Sequence, residues 1–66
     1  MMEEVKYPNC TVELSDGNAF AIMGAAQRAA KRAGVPRDEI DAYLKEAQSG
    51  DYDNLLQVTM KWFDVA

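Results

Sequence analysis

A single cysteine, Cys10, and no histidine in 66 residues leave this chain without a covalent or metal staple. One thiol cannot close an intrachain disulfide, and without imidazole it cannot complete a Cys/His zinc site. The fold must therefore rest on packing alone. Below roughly 70–80 residues one core rarely supplies more than about 3–5 kcal/mol, so such a chain is either closely idealised or helped by association. The length admits one domain, residues 1–66, and excludes a substrate cleft between domains. With 48% hydrophobic and 27% charged residues, four Gly and two Pro, the composition is that of a folded chain. Eleven acidic against seven basic residues give a net charge of −4 and a pI near 4.5, which argues against a dedicated binder of phosphate backbones. The acidic opening Met1-Met2-Glu3-Glu4 leads into no apolar stretch of signal-peptide length, and nothing approaches the roughly 20 apolar residues that span a bilayer. A cytoplasmic location is expected.

The first part of the chain, about residues 5–15, is marked as a strand region by Val5, Tyr7, Thr11, Val12 and Leu14. Cys10, Val12 and Leu14 alternate with Thr11, Glu13 and Ser15, which predicts a half-buried strand over about 10–15. Val5–Tyr7 is a candidate hairpin partner through Pro8-Asn9, although that pair is not a favoured two-residue turn. Otherwise the strand must pair with the C-terminal segment or with a second chain. Ser15-Asp16-Gly17-Asn18 offers N-caps for a helix over about 18–33, with Ile22, Met23, Ala26, Ala29, Ala30 and Ala33 as its apolar set. Gln27, Arg28, Lys31 and Arg32 fall on the other side. Gly34 suits the left-handed position that ends the helix. Pro36, at a first helical position, and the early carboxylates Asp38 and Glu39 open a second helix over about 36–48, with Ile40, Tyr43, Leu44 and Ala47 as its stripe. Asp51 is the candidate cap of a third, over about 52–63. Its residues Leu55, Leu56, Val58, Thr59, Met60, Trp62 and Phe63 sweep an apolar arc wider than the roughly 100° a surface helix needs.

Three ordered blocks carry a resemblance: Asp16-Gly17-Asn18-Ala19-Phe20-Ala21-Ile22, then Ala33-Gly34-Val35-Pro36 with Glu39-Ile40, then Ser49-Gly50-Asp51-Tyr52-Asp53-Asn54-Leu55-Leu56 with Trp62. Together they span about residues 12–65. In these the chain resembles a family of small proteins encoded in phages, prophages and bacterial genomes, a family of unknown function. Asn54 stands where that family often carries His, so no imidazole chemistry carries over. The resemblance implies a cytoplasmic accessory protein of mobile-element or bacterial origin, with no catalytic residues to transfer.

Chemistry-bearing residues are sparse. Cys10 has no His to act as base or to hold it as thiolate, so a structural role is expected. Asp51-Tyr52-Asp53 has the acidic start of an EF-hand loop, but Leu55 and Leu56 stand where a ligand and the turning Gly are needed. Asp38, Glu39, Asp41 and Glu46 are expected on a solvated helix face, and Gly17 and Gly24 have no phosphate-loop spacing. Two features retain functional weight. Arg28, Lys31, Arg32 and Arg37 place four of seven cations within ten residues, a candidate contact for an anion or nucleic acid. No aromatic residue is interleaved among them for base stacking. A strand before two helices resembles ribbon-helix-helix regulators, yet the outward position Glu13 would face phosphates. The second feature is the apolar excess near the C-terminus, where Tyr52, Met60 and Trp62 form a candidate partner surface, with Trp62 or Met60 expected to reach it.

The expected fold is α+β, mainly α: an N-terminal β-strand or hairpin followed by a compact three-helix bundle. The expected function is that of a non-enzymatic accessory or protein–protein interaction module of phage or bacterial origin, engaging another protein or a second copy of itself. The alternative is a nucleic-acid-associated regulator using the basic cluster on helix 1. No cofactor, metal or membrane is implied.

Overall fold

The computed structural model describes residues 5–66, so the acidic opening Met1–Glu4, read above for targeting, lies outside the described residues. Strand β1 (Tyr7–Val12) is followed by helices α1 (Ala19–Arg32), α2 (Arg37–Ala47) and α3 (Tyr52–Trp62) and by a short strand β2 (Phe63–Val65). The mixed α+β class and the three-helix bundle agree with the sequence. Of the alternatives for the strand's partner, the C-terminal segment is the one realised. β1 runs parallel to β2, with Tyr7 opposite Phe63, Thr11 opposite Asp64 and Val12 opposite Val65.

This pairing corrects two expectations at the N-terminus. Among the described residues there is no hairpin, because Tyr7 belongs to β1 itself, and Pro8-Asn9 lies in an irregular stretch of the ladder between Tyr7 and Thr11. Proline has no N–H to give to a ladder, so the strand bulges past it. The strand is also shifted: it starts at Tyr7 and ends at Val12, while Glu13, Leu14 and Ser15 run on outside the sheet. Alternation survives within it, since Cys10 and Val12 are buried and Thr11 turns out to bond Asp64.

The helices fall within a residue of their expected bounds because their stops are local. At α1 the Asn18 side chain accepts from the Phe20 amide at 2.9 Å, and Asp16 accepts from the Asn18 amide. At its other end Gly34 has φ +84°, which lets its amide reach the Lys31 carbonyl and the Val35 amide reach that of Ala30. This is the Schellman arrangement, with Val35 buried over the last turn. Pro36 takes the N-cap place of α2, one residue earlier than expected, with extended backbone and no side-chain bond. Asp51 caps α3 by accepting from the Asn54 amide.

Helix α3 stops at Trp62 without a Gly or Pro. Phe63 turns to an extended conformation, gives its amide to the Thr59 carbonyl and enters the sheet fully buried. Tyr43, Trp62 and Phe63, with the half-buried Tyr7, then form an aromatic cluster: Tyr43 meets Phe63 edge-on at 5.0 Å and Trp62 at 5.9 Å, and Tyr7 stacks on both Trp62 and Phe63. Ala26 and Ala30 present α1 to this core with no exposed surface, which permits close helix approach. Among the described residues no helix is long and apolar enough to cross a membrane.

Candidate interaction surfaces

The groups that might carry chemistry are used to hold the fold. Cys10 is buried, and that burial pushes its thiol above the usual range, so it is kept as an uncharged thiol. The carboxylates expected on a solvated face of α2 divide into two kinds. Glu39 accepts from the Lys6 ammonium at 2.8 Å and from the Tyr7 phenol at 2.9 Å; these bonds, that of Lys6 first, hold its carboxyl below the ordinary value. Glu46 accepts from Lys61 at 2.6 Å and from the Trp62 indole N–H at 3.1 Å, with Lys61 the larger cause of its lowered pKa. Lys6 also lies 4.2 Å from the centre of the Trp62 ring. Two glutamates of α2 thus tie the N-terminal segment and α3 together. Asp38 and Asp41 remain exposed, the latter 3.6 Å from Arg37. Asp53 accepts from Gln57, and Asp51 is occupied as a cap.

One buried polar network completes the interior. Thr59 donates to the Leu55 carbonyl at 2.8 Å, so the Tyr43 phenol, 2.7 Å from the Thr59 hydroxyl, is the donor between them. No buried side-chain nitrogen or oxygen among the described residues lacks a partner.

Of the candidate partner surface, Met60 is 52% exposed and Tyr52 46%, but Trp62 is only 5% exposed. Trp62 therefore leaves that surface. The reason is helical geometry: residues two apart lie about 200° around an α-helix, so Met60 and Trp62 cannot face the same way. Tyr52 is tethered, its phenol donating to the Gly17 carbonyl ahead of α1. The sequence reading missed Phe20, which at 81% is the most exposed large apolar side chain. Its signal was weak, since Phe20 lies about 160° around α1 from Ile22 but only about 60° from buried Met23, at the margin of the apolar face.

The basic cluster is exposed throughout, yet its members separate. Arg28 and Arg32 both line an open trough of about 470 Å³ between α1 and residues 11–16. Lys31 stands outside that trough, and Arg37 sits on α2 beside Asp41. The wall opposite the two arginines carries Glu13 and Asp16. A phosphate chain entering there would meet carboxylates as well as guanidinium groups.

Comparison with models of protein families, with curated proteins and with solved structures finds no match for this chain.

Proposed function

We propose that this protein is a non-enzymatic accessory module of phage or bacterial origin that acts in the cytoplasm by docking on another protein. The observation that carries the reading is the display of Phe20, Tyr52 and Met60 on a domain whose core is otherwise closed and satisfied. Aromatic residues and Met are enriched in interface centres, where they add contact area at low entropic cost. A Phe left four-fifths exposed contributes nothing to the packing of its own domain. The test is affinity capture from lysate of the cells that carry the gene, with nuclease present, using the wild-type chain beside Phe20→Ala and Met60→Lys. A protein retained by the wild type and lost with either variant, both folded by circular dichroism, supports the reading. Identical retention by all three overturns it.

A second reading, a nucleic-acid-associated regulator, is favoured by one fact: Arg28 and Arg32 share a trough and neither pairs with a carboxylate among the described residues. It predicts retention on duplex DNA at low salt that falls with added salt and with charge reversal of Arg28, Lys31, Arg32 and Arg37. Glu13 and Asp16 across the same trough weigh against it.

A further inference from the structure

The trough beside α1 has an unusual distribution of charge. One wall is the flank of α1 bearing Arg28 and Arg32; the other is the extended segment after β1, bearing Glu13 and Asp16; half-buried Ala25 and Ala29 form part of the floor. The two walls are held apart, and no ion pair closes across them. Elsewhere in the described chain three cations are engaged, Lys6 with Glu39, Lys61 with Glu46 and Arg37 with Asp41, while Lys31 and Lys45 stand on open surface outside the trough. Among the described residues the trough keeps two positive and two negative groups without an ion pair, Asp16 accepting only from the Asn18 amide.

We infer that a second copy of this chain covers the trough, in a symmetric dimer. A two-fold axis lying along the trough sets the α1 wall of each copy against the 13–16 wall of the other. Arg28 and Arg32 then meet the partner copy's acidic wall, and the same contact forms at both rims at once. Such an isologous surface must be complementary to itself, and a trough with one basic and one acidic wall meets that requirement in this orientation. The alanine floor leaves room for the long guanidinium side chains to reach across. A single-signed groove would select a partner of opposite charge; this one, being balanced, suits its own copy. The inference is independent of the docking role of Phe20, Tyr52 and Met60, since none of these lines the trough.

The experiment is sedimentation equilibrium of the full chain from about 10 µM to about 1 mM, the range expected of a modest interface. Three variants accompany the wild type: Arg28→Glu/Arg32→Glu, Glu13→Lys/Asp16→Lys, and Glu13→Lys alone in case loss of the Asp16 bond to the Asn18 amide disturbs α1. The expected result is a concentration-dependent doubling of mass for the wild type that weakens with salt. Each doubly reversed variant alone should need at least about tenfold more protein to associate, because like charges then oppose on both rims, and Glu13→Lys, which keeps Asp16, should shift association in the same direction by less. Mixing the arginine-reversed variant with the double lysine variant should restore the dimer, since walls of opposite sign face again. A wild type that stays monomeric to the top of the range overturns the inference. So does a dimer indifferent to both reversals, or a mixture that fails to reassociate.

Discussion

The two flanks of this domain treat their charges in opposite ways. Around Trp62, four charges beside the aromatic cluster are engaged: Lys6 with Glu39 and the indole face, Lys61 and the indole N–H with Glu46. Along α1, by contrast, Arg28 and Arg32 stand over a trough floored by alanine and bond no carboxylate of the described chain. The first flank joins segments distant in sequence, Lys6 and Tyr7 with α2, and α2 with α3. The second is joined to the rest by the small inner face of α1, Ile22, Ala26 and Ala30, and by the Tyr52 phenol on the Gly17 carbonyl, with no ion pair between segments among the described residues. Cohesion is thus concentrated where bulky rings meet, and the alanine-rich side is left free to face something else.

That contrast is broken most severely at Trp62. Trp62→Ala should cost about 3–5 kcal/mol, comparable with the whole stability expected of an unstapled domain this small, so urea denaturation should find the variant largely unfolded. A variant within about 1 kcal/mol of wild type would show that the cluster is not where cohesion lies. Next comes the polar network. Thr59→Val leaves the Tyr43 phenol buried without a partner and should cost about 1–3 kcal/mol. Tyr43→Phe leaves Thr59 still bonded to Leu55 and should cost less, about 1 kcal/mol. Equal losses would mean that the phenol finds another acceptor.

Smaller still is the tie through Glu46. Its carboxyl, like that of Glu39, titrates below the ordinary value of 4.5 in the folded chain, so both contribute stability above that pH and lose it as pH falls through their lowered values. Stability should therefore decline on acidification below about pH 4.5, and Glu46→Gln should flatten that decline while costing under about 1 kcal/mol at neutral pH. An unchanged acid slope would remove Glu46 from the account. Smallest of all, Arg28→Ser and Arg32→Ser should each lie within about 0.5 kcal/mol of wild type in a thermal melt of the dilute chain.

Much of the fold was legible where its causes are local. Asn18, Gly34 and Asp51 mark helix ends by chemistry acting over three or four residues, and all three helices appear within a residue of their expected bounds. The strand was harder. Its partner lies beyond three helices, and the departure of Phe63 from the helical path carries no Gly or Pro signal; only burial in the sheet explains it. Apolar periodicity in α3 was broad enough to suit both core and surface, and so Trp62 was placed with Met60 although their spacing separates them. The basic cluster was legible as a run of side chains but not as geometry. Sequence proximity brought Lys31 and Arg37 in with Arg28 and Arg32, whereas the turn at Gly34 puts Arg37 on another helix.

The parallel pairing of Tyr7–Val12 with Phe63–Val65 has a consequence for synthesis. β1 is made before the three helices, and its partner strand follows roughly fifty residues later. At about 5–20 residues per second, β1 waits on the order of 3–10 seconds with its ladder groups unanswered. The helices can form and meet during that interval. The aromatic cluster cannot close, because Trp62 and Phe63 are still to come. Closure of the sheet and of the aromatic cluster therefore waits for β2, and until then the nascent chain presents an open edge to its neighbours and to chaperones.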